Sequence, residues 1–300
     1  MTIHIGNAPV SWGIFEFTGL IPKYTFEQVL NEIRDAGYTG TELGPWGYLP
    51  TDPARLRDEL DKRGLKMLST FVPIKLIDPG ALKAGEEVAL RTGALLNALG
   101  AKIIILADDN LTIQNRIDRS GRIRPEDGLT AEQWKTFGAN VNKVAQSVMD
   151  KYGMAMAFHH HCGGYVETPA EIDRLMELTR PELVGLCLDT GHYVYGGGNA
   201  NAVDAVKKYG SRINHLHFKD CDPAVLARAR SEGLNYLDAV GAGIFCELGK
   251  GSIDFRAVAS DMNKLGYNGF AVVEQDILPG LGSPLESAKR NREYLRSIGL

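Results

Sequence analysis

The sequence predicts a single-domain (β/α)8 barrel spanning residues 1–300. Three observations carry that expectation. Eight short apolar runs alternate with segments of helical spacing, and no linker interrupts them. The runs are nearly continuous in Val, Ile, Leu and Ala, as in parallel strands covered on both faces. Most end in Asp, Glu, His or Lys, at the strand ends where such barrels collect their chemistry. A doubly wound open sheet is the runner-up. It calls for a glycine-rich phosphate loop after an early strand, and the glycines from Gly241 to Gly251 neither follow a strand nor open a helix.

In chain order, Ile3 to Val10 reads as the first strand, with a loop through Ser11-Trp12-Gly13 and Phe15-Glu16-Phe17. Val29, Leu30 and Ile33 set a helix over 26–36, stopped by Gly37. Strand two covers 38–43, a helix 53–63, and strand three 65–72, with Lys75 just beyond. A helix over 80–99 leads to strand four, 101–107, which ends in Asp108-Asp109-Asn110. Residues 111–129 are polar and glycine-bearing and read as a mobile excursion. Thr130 N-caps the next helix. Strand five, Met154 to Phe158, runs into His159-His160-His161-Cys162-Gly163-Gly164. Alternation puts His159 and His161 on one face and His160 on the other. Two imidazoles projecting together from a strand end make a natural metal or proton-transfer site. A short helix over 169–179, strand six over 183–189, a helix near 201–208 and strand seven over 213–220 follow. An insertion over 221–250, a helix over 254–265, strand eight over 270–274 and a helix over 283–297 complete the chain.

Composition narrows the function. The net charge is −4 with no basic tract, so a nucleic-acid partner is not indicated. No apolar run approaches the roughly 20 residues of a membrane span. Residues 1–6 lack the charged and apolar regions of a secretory signal. The four cysteines, at 162, 187, 221 and 246, form no CxxC pair, which argues against a thiolate zinc knuckle. They read as reduced thiols of a cytoplasmic protein, small and buried at 162 and 187.

The strand ends bring together Glu42, Lys75, Asp108, His159, His161, Asp189, His192, His215, His217, Lys219 and Glu274. His217 lies nearer the mouth than His215 and is the better ligand. A Glu274 after so apolar a run is costly unless paired or metal-bound. Glu42, Lys75, Asp108 and His192 suit substrate hydroxyls, with a barrel-mouth salt-bridge network as the alternative. Trp12 and Phe15 suit the apolar face of a ring, and ordinary packing accounts for them equally well.

The motifs LDTGH at 188–192, HLHFKD at 215–220 and VVEQD at 272–276 resemble those of the xylose isomerase-like TIM barrels, over essentially the whole chain. That superfamily holds divalent-metal isomerases, epimerases and dehydratases. The stretches NAPVSWG at 7–13, HHHCGG at 159–164 and FCELGKGSIDF at 245–255 look most like the inosose dehydratase subgroup. The resemblance implies a metal held by His159, Asp189, His217 and Glu274, with His161 as the alternative to His159. Two imidazoles and two carboxylates suit Mn²⁺ or Co²⁺, and also Zn²⁺ or Fe²⁺; Mg²⁺ prefers more oxygen. Ketose epimerases carry Glu where His159 aligns, and their symmetric two-base scheme is weakened by that change. A dehydratase needs one base and one acid. Glu274 or a neutral histidine would take the α-proton, and His161 or Lys219 would protonate the leaving hydroxyl, by way of an enediolate. The expected activity is metal-dependent dehydration of 2-keto-myo-inositol to a trihydroxycyclohexane dione, in inositol catabolism. A keto-sugar or inosose isomerase or epimerase is the first alternative, and a non-catalytic sugar-binding barrel the second. Net acidity and the lack of strand-end histidines before His159 argue against an apurinic-site nuclease. The expected partner is a small polyol or keto-cyclitol. Barrels of this group often form homo-oligomers, and residues 111–129 and 221–250 are expected to cover the site or pack against a neighbouring subunit.

Overall fold

Side-chain alternation along eight parallel strands decides what lies inside this molecule and what lies around it. The computed structural model describes residues 3–15, 23–198, 200–276 and 282–300. Glu16 and Phe17 of the expected first loop lie outside them. The strands are His4–Asn7, Gly40–Thr41, a third in two pieces (Lys66–Met67 and Phe71–Ile74), Ile103–Asp108, Ala155–His159, Val184–Asp189, Ile213–Phe218 and Phe270–Val273. Neighbours pair parallel throughout, and the first strand pairs with the eighth. The third strand closes the ring. Its first piece pairs with the second strand and its second piece with the fourth. Across the break, Leu43 N donates to Ser69 O and Ile105 N to Thr70 O, both at 3.0 Å. The barrel expected from the sequence is therefore the fold.

The alternation sorts the residues into layers. Ile104, Leu106, Met156, Phe158, Leu186, Leu188, Leu216, Phe218, Ala271 and Val273 belong to the large apolar layer beneath the helices. Ile105, Ala157 and Cys187 pack together in a separate inner cluster, and Ala8, Leu68 and Val272 in another. One inward step further along strands five to eight stand His159, Asp189, His217 and Glu274. Strands five, six and eight thus place apolar residues deep in the barrel and a polar one at the mouth, while strand seven also sets His215 in the layer of Cys187.

Several elements differ from expectation. The first strand stops at Asn7 because Pro9, which has no N–H to give a ladder, opens a 3-10 turn over Pro9–Trp12. A helix over Thr190–Gly197 (TGHYVYGG) follows strand six directly, where the sequence offered no periodic apolar signal. Asp189 caps it, accepting the His192 N–H at 2.8 Å. The 221–250 insertion holds helices Pro223–Glu232 and Tyr236–Gly241 and a short antiparallel pairing of Asp220–Cys221 with Phe245–Cys246. Asp220 ties its far end down, accepting N–H groups of Cys221, Gly249, Gly251 and Ile253 at 2.9–3.2 Å.

The 111–129 excursion is a packed segment rather than a mobile one. Its short helix Gln114–Asp118 carries Arg116, which is fully buried. The guanidinium donates to both carboxylate oxygens of Glu171 at 2.9 Å and to Gly164 O at 2.6 Å. Glu171 also completes the capping box of the helix Pro169–Leu178. One ion pair therefore joins the excursion, the loop after strand five and the next helix. Removing one partner of such a buried pair strands the other charge. Arg116→Met is expected to lower the free energy of urea unfolding by about 3–5 kcal/mol, with partial recovery in Arg116→Met/Glu171→Gln. A loss below about 1 kcal/mol would show that the pair anchors nothing.

Candidate functional site

Strand register assembles the site. Asp189 stands opposite His217, and Val272 stands opposite His217 on the other side. Glu274 stays tied to this edge through its N–H to Phe218 O at 3.1 Å. Side chains of strands six, seven and eight therefore meet: ligand atoms of Asp189, His217 and Glu274 lie within 4.8 Å of one another. His159 Nε2 is 3.7 Å from Asp189 Oδ2. His217 Nδ1 lies 3.1 Å from Glu274 Oε1 and 3.9 Å from Asp189 Oδ2.

The polar atoms here are short of partners. Asp189 Oδ2, His159 Nδ1 and His217 Nδ1 are buried and make no hydrogen bond of good geometry. Buried acceptors without donors are costly in a folded protein. Asp189, His217 and Glu274 converge, and His159 adjoins them through the Asp189 carboxylate; two carboxylates and two imidazoles are a donor set that suits a divalent transition metal. Beneath them, Cys187 Sγ lies within 4.8 Å of ligand atoms of His159 and His217. Burial pushes its thiol up to about 12, which makes it a neutral filler there.

Glu42 supports this group from behind. Its Oε1 meets His217 Nε2 at 3.0 Å, His215 Nε2 at 2.9 Å and the Ser69 hydroxyl at 2.8 Å. Burial alone would raise its carboxyl, but the His217 and His215 imidazoles outweigh that and hold it well below the usual range. In its neutral form, His217 donating Nε2–H to Glu42 has Nδ1 as the lone-pair nitrogen, on the side of Asp189 and Glu274. Glu42 was expected to bind substrate. It lines the cavity, and its hydrogen bonds are spent on the histidines.

Above these groups is a cavity of about 230 Å³. Its polar lining is Glu42, His159, His161, Lys219, Glu274 and Asp276. Its apolar lining comes from the turn after strand one (Ala8, Pro9, Val10, Phe15), from Phe71 and Leu111, and from Tyr236, Leu237 and Val240 of the insertion. Lys219 Nζ sits 3.1 Å from Glu274 Oε2 and 3.2 Å from Asp276 Oδ2, over the Phe245 ring at 4.8 Å. Burial works against its charge, but the carboxylates of Asp276, Glu274 and Asp189 more than offset this and keep it an ammonium. Gly191 makes room for that strand: a Cβ there would lie 2.8 Å from Lys219 Cγ. His161 Nδ1 is 2.6 Å from Cys162 O, so this nitrogen carries the proton and Nε2 the lone pair. Burial, then His159 and Lys219, hold His161 well below the ordinary imidazole range.

The remaining expected site residues lie elsewhere. Trp12 is buried outside the cavity lining, its indole N–H donating to Glu32 at 2.6 Å, because the Pro9–Trp12 turn swings it toward the first helix. Lys75 is about half exposed and reaches Asp109 at 3.7 Å. Asp108 is buried, accepts the Tyr165 N–H at 3.3 Å and is pushed up to about 6 by that burial. His192 is fully buried behind His161, with ring centroids 3.9 Å apart, and receives the Cys162 N–H on Nδ1 at 3.2 Å. Asp276 and Tyr236, both lining the cavity, escaped the sequence reading for different reasons. Asp276 follows Glu274 at a spacing of two inside VVEQD and was legible by alternation. Tyr236 comes from an insertion with no periodic signal.

Fold and site together define a parallel barrel with a candidate divalent-cation centre at the carboxyl ends of its strands. The chain belongs to the xylose isomerase-like TIM barrel family, whose model matches residues 30–298. An inosose dehydratase of Clostridium botulinum (strain Alaska E43 / Type E3) is 34% identical over 298 residues, 98% of this chain and 96% of that protein. The rhizopine catabolism protein MocC of Rhizobium meliloti is 37% identical over 295 residues, 98% of this chain and 88% of that protein. Among solved structures, the IOLI protein with a binding zinc atom superposes with a TM-score of 0.72 at 15% identity, covering 99% of this chain and 98% of that one, a likeness of fold. Among the described residues no helix is long and apolar enough to cross a membrane.

Proposed function

We propose that this chain removes water from 2-keto-myo-inositol to give a trihydroxycyclohexane dione, the reaction that the name inosose dehydratase suggests for its relatives. One observation carries the chemistry: a fixed ammonium, Lys219, and a neutral imidazole, His161, line the same cavity as the cation-type cluster. Dehydration of a keto-cyclitol breaks a C–H bond next to the ketone and a C–O bond one carbon further on. It therefore needs a base and an acid, held apart.

His159, Asp189, His217 and Glu274 would hold the ion, with Mn²⁺ or Co²⁺ as the first candidates and Zn²⁺ or Fe²⁺ next. When bound, a divalent cation supplies charge that polarises the ketone and acidifies the neighbouring C–H. His161 is assigned as the base, because its Nε2 carries the free lone pair. Lys219 is assigned as the acid, protonating the departing hydroxyl at Nζ; the resulting enol then rearranges to the dione. Glu274 and Asp276 hold that Nζ in place. The apolar walls exclude water and lie against ring C–H groups. Glu42 acts on His217. These assignments narrow the roles left open by the sequence. Four unpaired cysteines support a reducing, cytoplasmic setting.

Mass spectrometry of 2-keto-myo-inositol incubated with Mn²⁺-loaded protein, beside a chelator-treated control, tests the reading. A metal-dependent product lighter by one water is expected. An unchanged mass with a shifted chromatographic peak would replace the dehydratase with an isomerase or epimerase. No product under either condition would overturn the substrate assignment.

A further inference from the structure

We infer that His160, the middle residue of the histidine triplet, is a positioning residue for Asp189. This rests on the reading above that Asp189 holds a cation. His160 points away from the cavity, between strand and helix, where it is fully buried and meets Tyr193 edge-on with centroids 6.0 Å apart. An imidazole in that apolar layer is costly unless it is hydrogen-bonded. Its Nε2 receives the backbone N–H of Asp189 at 3.3 Å.

The location gives that bond its purpose. Pairing between strands five and six ends at His159 opposite Cys187, so Asp189 lies beyond the last paired residue. The His160 side chain provides the acceptor where the ladder has run out. Asp189 is then held twice. Its N–H is fixed by His160, and its Oδ1 accepts the His192 N–H at 2.8 Å. The oxygen left over is Oδ2, buried, without a hydrogen bond and facing His159 Nε2 at 3.7 Å. Accepting on Nε2 also requires the His160 proton on Nδ1, which is buried and has no hydrogen-bond partner, so the Asp189 contact is the ring's one polar bond. The triplet thus divides its work: His159 faces the cation position, His161 lines the cavity, and His160 fixes the neighbouring strand's carboxylate from behind.

The test compares shape with acceptor. His160→Phe keeps the ring and removes the acceptor, whereas His160→Gln supplies an amide oxygen. Binding of Mn²⁺ to metal-free protein is followed by the electron paramagnetic resonance of free Mn²⁺, with urea unfolding alongside. A fall in affinity of about 10- to 100-fold is expected for His160→Phe, with His160→Gln within about threefold of wild type. Wild-type affinity in a folded His160→Phe, or equal losses in both variants, overturns the proposal and leaves His160 as packing. Should His160→Phe not fold, ¹⁵N-histidine spectra of the wild-type protein decide. The signal that disappears in His160→Gln must show an unprotonated Nε2, and a protonated one overturns the proposal. Asp189→Asn in the same titration separates the two readings. Unchanged Mn²⁺ binding there sinks the ligand assignment, while the nitrogen spectra still judge the His160 bond.

Discussion

Lys219→Met is expected to cut turnover of 2-keto-myo-inositol by about 10²–10⁴-fold while leaving Mn²⁺ affinity near wild type. The size follows from what the ammonium does in place. Its Nζ is almost wholly enclosed, between Glu274 and Asp276 and over Phe245. Methionine keeps the unbranched stem and much of its packing, so the change removes a proton donor more than a volume. A second consequence comes with it. Glu274 and Asp276 lose the cation between them, and like charges in a buried site repel. Lys219→Met/Asp276→Asn relieves that repulsion without returning a donor, and its turnover should remain low. Product formation by mass spectrometry at saturating substrate, with Mn²⁺ binding measured separately, checks both variants. Turnover within tenfold of wild type in Lys219→Met would return the acid role to His161.

Asp189→Asn is expected to lose about 10³-fold or more in turnover, and here Mn²⁺ affinity falls too. Asparagine is nearly the same shape and is itself a good N-cap. The His192 N–H keeps its acceptor, so the helix over Thr190–Gly197 should persist and urea stability should stay within about 1 kcal/mol. What goes is the negative charge of Oδ2, which lies 3.7 Å from His159 Nε2 and 3.9 Å from His217 Nδ1. The two variants make a matched pair: one loses the donor and keeps the ion, the other keeps the donor and loses the ion. Full activity in Asp189→Asn, with metal retained, would falsify the four-residue cation set.

How much of this was legible depended on periodicity. Strands six to eight announce themselves because apolar runs end abruptly in Asp189, His217 with Lys219, and Glu274. The same period of two assigns the inward faces. The third strand was read as continuous, because Leu68, Ser69 and Thr70 are as strand-like as their neighbours; its break comes from closing the ring. Glu42 was placed at the mouth, yet its attachment to His215 and His217 joins residues far apart in sequence, and no local pattern reports that. Trp12 was misplaced by a turn whose geometry Pro9 sets. The helix over Thr190–Gly197 was hidden because it is made of glycine, threonine and tyrosine, poor formers carried by the Asp189 cap and by burial.

The uneven pairing of the strands gives the barrel a seam. Strand two joins its neighbours through one residue pair on one side and two on the other, while strands five to seven share four pairs at each junction. The broken third strand lies on the same weak arc. Opening fluctuations cost least where the ladder is shortest, so this wall yields first. Amide hydrogen exchange is therefore expected to be slower along strands five to seven, which bear His159, Asp189 and His217, than along strand two. The short ladder and the long one thus lie on different arcs of one closed sheet, joined across the barrel by the Glu42 contact to His217.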